Sequence, residues 1–255
     1  MAFNHRIGLS TVSAIINETC ESIWGCLTPI YLKKPNEQMW EQKASTFLDI
    51  TNFPNCVGAI DGKQVIIQAP GNSDSLYFNY KGTYSVVLLA ACDATYCYTF
   101  VDIGAYGKQG DSTIFSESQL GKLLFEGGLN LPWDRCLPQG NEELSLVFVA
   151  DEALQLKKNI MRPYPGKNMS QDQEAFNYRL CRARRLIENT FGITSSRWRI
   201  LRKPIVSSIS TVEKIVKAVV CLHNFVCQNE VNSTVCQRNA TTCLVHMQTQ
   251  KWMAL

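Results

Sequence analysis

The sequence predicts one large α/β domain, built on a mixed sheet with helices on its faces and preceded by a short helical segment. Two observations predict this class. Strand-like runs in the middle of the chain have the short spacing of an antiparallel meander, and a helix, a further strand and a long helix follow them. The composition, 45% hydrophobic and 18% charged over 255 residues, can supply the core of one such domain.

Two helices are predicted before the sheet. Residues 10–27 place apolar side chains near helical spacing, with Ser10 in the position of an N-cap. Residues 36–49 have the composition of a second helix. The polar stretch near residue 33 and the Asn-Phe-Pro sequence at 52–54 separate these helices from each other and from the sheet.

Four strand-like runs come next. Residues 56–61 and 63–70 are short, apolar and rich in β-branched side chains. Residues 84–93 and 96–107 are separated only by a turn, which predicts an antiparallel pair.

Helix and strand then alternate. Residues 111–125 are predicted to form one helix, and residues 145–151 a buried strand that ends in an acid. Ser170 and Gln173 fit a capping box for a long helix to about residue 193. An apolar closing helix is expected over 211–226.

Three antiparallel strands followed by a parallel crossover are the order of the RNase H-like fold. The sequence therefore predicts an RNase H-like mixed sheet over residues 53–226. Residues 1–52 are interpreted as a partial helical, helix-turn-helix-like segment. Residues 227–255 are polar and without clear periodicity, so we expect a loosely ordered tail.

Several classes of site are disfavoured by what the sequence lacks. The three histidines, His5, His223 and His246, leave a Ser-His-Asp or Cys-His site without a nearby partner in the central domain. No CxxC pair, GxGxxG loop or GxxxxGK[ST] loop occurs. The eleven cysteines are scattered singly and are expected to be reduced thiols, and neither a signal peptide nor a membrane span is expected.

Carboxylates are the remaining candidates for chemistry. Asp61 and Asp151 each end a strand-like apolar run, and in a sheet of this order the two strands are neighbours. Two carboxylates at close range repel each other unless a cation lies between them. Oxygen ligands of this kind suit Mg²⁺ or Mn²⁺, and two such ions would serve phosphodiester chemistry. The alternative is that each acid points to solvent at a strand end.

Two further acids complete a possible set, each with a structural alternative. Glu188 lies next to core residue Ile187 on the long helix, but Arg184 and Arg185 could hold it in a simple intrahelical ion pair. Asp111 opens a helix, where an acid is equally explained as an N-cap. All four acids fall where one metal site could collect them.

The basic residues are concentrated in one window. Between Arg179 and Lys203 there are eight basic residues and one acid, Glu188, although the net charge of the whole chain is only +3. Such local asymmetry indicates a surface that faces phosphates. Trp198 and Tyr164 lie among these cations and could stack on an unpaired base, with ordinary packing as the alternative.

Five segments resemble, in order and spacing, the DDE endonuclease domain of PIF/Harbinger transposases and their domesticated nuclease relatives. The resemblance runs from about Phe53 to Val226. The segments are FPNCVGAIDGKQV, DIGAYGKQGDSTIF, VFVADEALQLKKNIMRPYPG, RLCRARRLIENTFGITSSRWRIL and KAVVCLHNF.

The resemblance implies a catalytic triad of Asp61, Asp151 and Glu188, with Asp111 at a further metal-binding position. Two positions depart from the family, which commonly has His where Gln64 stands and Gly where Ala150 stands. The segment GLSTVSAIINETC resembles the end of the helical region that precedes the nuclease in this family. Because most of that region is absent, sequence-specific DNA binding is expected to be incomplete.

The leading hypothesis is a DNA endonuclease or transposase that depends on a divalent metal, Mg²⁺ or Mn²⁺, with two ions expected. The resemblance also implies a separate Myb/SANT-like partner and a nuclear location, with the cytoplasm as an alternative. The oligomeric state stays open, a homo-oligomer included. The competing hypothesis is a domesticated, catalytically silent protein associated with DNA or chromatin.

Overall fold

A computed structural model of the chain describes residues 7–252 apart from positions 72, 74 and 139, and side chains as far as residue 230. It contains six α-helices and seven strands within that range. In chain order these are α1 Leu9–Tyr31, α2 Glu37–Thr51, β1 Cys56–Ile66, β2 Ser85–Cys92, β3 Tyr98–Tyr106, α3 Asp111–Glu117, α4 Gln119–Phe125, β4 Arg135–Cys136, β5 Glu143–Leu144, β6 Val147–Val149, β7 Ile160–Met161, α5 Gln171–Arg197 and α6 Ile209–Trp252.

Five strands form one mixed sheet in the order β3-β2-β1-β6-β7. The pairs β1–β2 and β2–β3 are antiparallel, while β1–β6 and β6–β7 are parallel. Strands β4 and β5 form a separate two-stranded ribbon. This is the predicted order of three antiparallel strands followed by parallel crossovers, and the RNase H-like fold class is confirmed.

Both faces of the sheet are buried. Along β2 every residue is buried, and successive side chains alternate between two apolar clusters because side chains of a strand point to opposite faces. One cluster, the first core, packs the sheet against α5 and α6. The other, the second core, packs it against α3 and α4. Helix α2 contributes to both, through Phe47 to the first and Trp40 to the second.

Two predicted segment boundaries are wrong. Residues 56–61 and 63–70 are not separate strands: β1 runs unbroken through Gly62, which pairs with Leu89 of β2. The predicted helix over 111–125 is two helices, because Ser118 has extended backbone (φ −67°, ψ 158°) and its side chain accepts a hydrogen bond from the N–H of Gly121 at 3.0 Å. Ser118 therefore caps a new helix instead of continuing the old one.

The helices around the sheet are otherwise where the sequence placed them. The predicted capping box is present, with Ser170 as the N-cap and Gln173 as its reciprocal partner. Helix α6 does not end near residue 226 as predicted but continues to Trp252. Most side chains of residues 227–255 lie outside the described part of the chain, so the loosely ordered tail stays a prediction.

The one histidine whose side chain is described, His223, has a structural role. His223 is fully buried; its Nε2 donates to the Tyr96 carbonyl at 2.8 Å, and its Nδ1 lies 3.1 Å from Thr194 Oγ1. Both ring nitrogens are thus used in packing α6 against α5 and the start of β3. The cysteines whose side chains are described are free thiols, as predicted for that part of the chain.

Within the described residues, no helix combines the length and the apolar character needed to cross a membrane.

Candidate metal centre

Asp61 lies in the interior of β1, where it pairs with Ala90 of β2. The prediction that Asp61 ends a strand is therefore wrong. The end of the neighbouring strand β6 explains instead why Asp61 lies at an edge of the sheet. Parallel pairing between β1 and β6 stops at Ala59 and Val149. Beyond that pair β6 leaves the sheet, so the half-buried Asp61 side chain stands at the edge where the parallel half of the sheet ends.

Asp151 follows directly at that edge, two residues after Val149. One carboxylate oxygen accepts a hydrogen bond from the N–H of Ala153 at 3.0 Å, which orients the side chain in the turn after the strand. Ala150, which departs from the Gly that the resemblance leads us to expect, is fully buried, and its N–H donates to the Met161 carbonyl at 2.9 Å. The extra methyl group is accommodated without loss of the ladder hydrogen bond beside Asp151.

Asp111 is the first residue of α3, and the N-cap position before it is occupied by Gly110. No side-chain capping bond is formed there, so the alternative reading of Asp111 as the N-cap is wrong. Its carboxylate instead packs against β1 at Gly62. A Cβ atom at position 62 would lie only 2.6 Å from Asp111 Oδ1, so the close approach requires glycine.

The three aspartates converge. One carboxylate oxygen from each of Asp61, Asp111 and Asp151 lies within 4.8 Å of the others, and all three side chains are half-buried. Burial raises the pKa of Asp61 to about 6, and the negative charges of Asp151 and Asp111 add to the rise. Burial and Asp151 also raise the pKa of Asp111. A cation placed among the three oxygens would offset both effects, so the donor set fits a hard divalent ion.

Comparison with known proteins identifies the family of the chain. The family model described as DDE superfamily endonuclease matches residues 60–224, well over half of the chain, and spans all three aspartates. The chain belongs to the DDE superfamily endonuclease family. The acidic cluster lies within the matched region, at the junction of the antiparallel and parallel halves of the sheet.

Curated relatives agree with this family. "Protein ALP1-like" from Arabidopsis thaliana is 26% identical over 240 residues, which cover 88% of this chain and 59% of the relative. "Putative nuclease HARBI1" from Xenopus laevis is 25% identical over 189 residues, covering 73% of this chain and 50% of the relative. The chain thus spans about half the length of the curated relatives it matches. No solved structure matches it.

Glu188, the third member of the predicted triad, does not join the cluster in this structure. Its carboxylate is exposed and pairs with Arg184 one turn earlier on α5, at 2.6 Å. The positive charge of Arg184 also acts on Asp61, where it lowers the pKa against the larger effect of burial. Arg184 therefore pairs with Glu188 and also acts through its charge on Asp61, and the catalytic role of Glu188 stays a prediction.

The basic window is only partly available for a ligand. Four of its arginines have partners within the chain, so a structural role explains why these four basic residues are present. Arg182 donates to the Ile50 carbonyl, Arg184 pairs with Glu188, Arg197 pairs with Glu230, and Arg202 donates to the carbonyls of Ser195 and Ser196.

The other four basic residues of the window are exposed. Arg179, Arg185, Arg199 and Lys203 have no hydrogen-bond or ion-pair partner among the described residues.

Trp198 packs half-buried against the first core, with no partner for its indole N–H in the described part of the chain, so packing accounts for it better than base stacking. Tyr164 is 47% exposed and lies edge-on to Phe176 at 5.2 Å between ring centroids.

Two contributors to the site were missed by sequence reasoning. Gly62 makes room for the Asp111 side chain. A glycine directly after Asp61 in the sequence could have indicated that another group approaches the strand closely at this point. Arg184 lowers the pKa of Asp61 from its position on α5. Its spacing from Glu188 along the helix indicates an ion pair with that residue, but nothing in the local sequence indicates how close Arg184 lies to β1. The first could have been found from the sequence, whereas the second depends on how α5 packs.

Asp61→Asn is expected to stabilise the metal-free protein above pH 6. The folded protein holds the Asp61 proton more tightly than the unfolded chain, because the folded-state pKa is raised from 3.8 to about 6. Stability of the wild type should therefore fall as pH rises from about 4 to about 6 and stay lower beyond it. The gain for the variant should be on the order of 2–3 kcal/mol at neutral pH and vanish near pH 4, as measured by denaturant unfolding with EDTA.

The neighbouring Glu152→Gln, which removes an exposed charge next to Asp151, is the control for this experiment. A gain of the same size in that variant, or a pH-independent gain in Asp61→Asn, would contradict the electrostatic account.

Gly62→Ala is expected to weaken binding of a divalent cation while leaving the fold intact. The new methyl group meets the far end of the Asp111 side chain, which can swing away at little cost but then leaves the cluster. Affinity for Mn²⁺, measured calorimetrically, should fall on the order of 10- to 100-fold. Gly25→Ala, where an added Cβ meets no described atom within 4 Å, should leave the affinity unchanged. Equal affinities in the two variants would refute the role of Gly62.

Proposed function

We propose that the chain is the catalytic domain of a DNA endonuclease that depends on a divalent metal ion. The observation that carries this proposal is the convergence of three half-buried carboxylates, within 4.8 Å, at the centre of a chain that belongs to an endonuclease family. The nuclease named among its relatives supports the same reaction class.

Asp61, Asp111 and Asp151 would hold the ion, for which Mg²⁺ and Mn²⁺ are the proposed candidates because the donors are all carboxylate oxygens. When bound, a pair of such ions would activate the attacking water and stabilise the charge that develops on the leaving oxygen. Without a cation, the same three carboxylates would repel a phosphate group. Productive contact between the DNA backbone and this cluster is therefore expected only in the presence of the metal.

Glu188 is proposed as the fourth acidic residue of the site. It lies on α5 one turn from Arg184, whose charge reaches Asp61. The exposed ion pair holds the carboxylate in place only weakly, since such pairs contribute on the order of 0.5 kcal/mol. Release of Glu188 from Arg184 would let it serve as an additional oxygen donor, while Arg184 would be freed for a phosphate.

Exposed cations on α5 and after it support DNA as the substrate. Arg179 and Arg185 on α5, which packs beside β1, and Arg199 and Lys203 directly after α5 carry charges that no described residue neutralises. Phosphate contacts of this kind are independent of sequence. The proposal also implies a nuclear location and leaves room for a Myb/SANT-like partner to supply sequence specificity, as the family resemblance suggests.

One observation favours a second candidate. The ion pair between Glu188 and Arg184 is what a helix without catalytic duty would form. A protein that retains the fold and binds DNA or chromatin without cutting it would keep this pair. The two candidates differ in whether a cation changes the behaviour of the protein toward DNA.

The deciding experiment is nicking of supercoiled plasmid by the purified chain in Mg²⁺, Mn²⁺ or EDTA. We expect nicking with either metal and none with EDTA. Asp61→Asn, Asp151→Asn and Glu188→Gln should each lower the rate by at least about 100-fold, because each removes a donor from the site. Glu152→Gln, next to Asp151 but outside the cluster, should nick at the wild-type rate.

Nicking that survives Asp61→Asn or Asp151→Asn would rule out the assigned centre. Loss of nicking in the two aspartate variants but not in Glu188→Gln would restrict the site to the three aspartates. A wild type that binds DNA equally well with and without metal, and cuts under neither condition, would establish the non-cutting alternative.

A further inference from the structure

A polar cavity lies beside the acidic cluster, and none of the three aspartates lines it. Its volume is about 260 Å³, and its walls are α3, the end of α4 and the segment that leads from Asp151 to β7. Two of these walls begin at a residue of the cluster, since Ser112 directly follows Asp111 and Gln155 lies four residues after Asp151. A ligand in this cavity would therefore lie next to whatever is held at the aspartates.

The polar side chains of this cavity have unused hydrogen-bonding groups. Ser112 is half-buried, and neither its hydroxyl nor that of Thr113 bonds to any residue that the structure describes. The same holds for the side-chain amide of Gln155, which offers both donors and an acceptor. No carboxylate lines the cavity, and its one charged group is the Lys157 ammonium. These groups suit a neutral ligand with several donors and acceptors along one edge.

An aromatic surface lies against the polar groups. Phe125 is 50% exposed, and its ring meets the buried Phe115 edge-on, with 6.0 Å between the ring centroids. The Lys157 Nζ lies 5.5 Å from the centre of the Phe125 ring. A flat heterocycle can stack on such a ring while hydroxyl and amide groups bond to its edge. A phosphate site would instead offer several cations or backbone N–H groups.

The wall formed by the segment before β7 is held in place by the chain itself. Leu154 is 1% exposed and packs in the second core, and the Arg162 guanidinium donates to the Glu152 carbonyl at 3.3 Å. Lys157 and Ile160 exchange backbone hydrogen bonds at 3.3 and 3.1 Å. The cavity therefore exists before a ligand binds, which reduces the ordering that binding requires.

We propose that this cavity, the base pocket, binds one unpaired nucleobase of the DNA strand whose phosphate lies at the carboxylates. The base would stack on Phe125, while Gln155 and the hydroxyls of α3 would bond to its edge. The volume suits a single base, since sites for drug-sized ligands are larger, about 300–1,000 Å³. Because a base within a duplex is stacked and paired, the strand must be single-stranded or distorted at this point. The base pocket rests on the proposed function, since it names the part of the substrate beside the metal centre.

Two short duplexes that differ at one position test the base pocket. One carries a single unpaired base, and the other carries an abasic residue in its place, so that their phosphates are the same. Binding would be followed by fluorescence anisotropy in Ca²⁺. We expect the wild type to bind the duplex with the unpaired base about 5- to 100-fold more tightly, the range expected for the stacking of one base.

Variants of the base pocket show whether it is the source of that preference. Phe125→Leu, which removes the ring but keeps an apolar side chain, and Gln155→Ala should each lower the preference by at least about threefold. Phe125→Tyr retains the ring and should retain the wild-type preference. Gln119→Ala, which changes an exposed glutamine on α4 outside this cavity, should retain it too. Affinity for Mn²⁺ should equal that of the wild type in all four variants, because none of them changes a carboxylate.

The outcomes for the base pocket and for the endonuclease are distinct. Equal affinities of the wild type for the two duplexes would overturn the base pocket, whatever the nicking assay shows. A preference that survives both Phe125→Leu and Gln155→Ala would also exclude it, because the base would then bind elsewhere. Loss of the preference on addition of inorganic phosphate would show an anion site and refute the base pocket as well. A preference for the unpaired base in a chain that never nicks plasmid would retain the base pocket and overturn the endonuclease.

Discussion

The point at which β1 stops pairing with β6 determines the geometry of the site. Parallel pairing ends at Ala59 and Val149, whereas β1 continues alongside β2 as far as Ile66. As a result Asp151, which follows β6, lies beside the part of β1 that pairs with β2, close to Asp61. Ladder hydrogen bonds hold the backbone on which Asp61 lies and the strand that ends just before Asp151, so the fold keeps these two carboxylates close together.

The residues around the three aspartates provide the space for their side chains and positive charge beside them. Asp111 reaches the cluster only because Gly62 has no side chain, and Arg184 supplies positive charge from α5. Lys63 lies two residues after Asp61 on the same strand and places a positive charge on the same face of β1. Negative and positive charges are thus separated along one face of β1. A cation bound at the aspartates would neutralise the negative part of this pattern.

The fold and part of the site could be predicted from local sequence. The apolar run of β2 and the capping box at Ser170 are local signals, and each gave the right element. Asp61 and Asp151 were recognised because apolar runs precede them. The continuity of β1 could not be predicted, since polar residues such as Gln64 are held in the strand by a non-local partner. The Arg184–Glu188 pair was foreseen as an alternative, because helix spacing alone allows it.

The most direct test of the account is whether the three aspartates hold a cation. Electron paramagnetic resonance of Mn²⁺ added to the metal-free protein would count bound ions without requiring DNA or catalysis. We expect saturable binding by the wild type and by Glu152→Gln, and at least tenfold weaker binding by Asp61→Asn and Asp151→Asn. Absence of saturable Mn²⁺ binding in the wild type, or equal binding in the two aspartate variants, would contradict it.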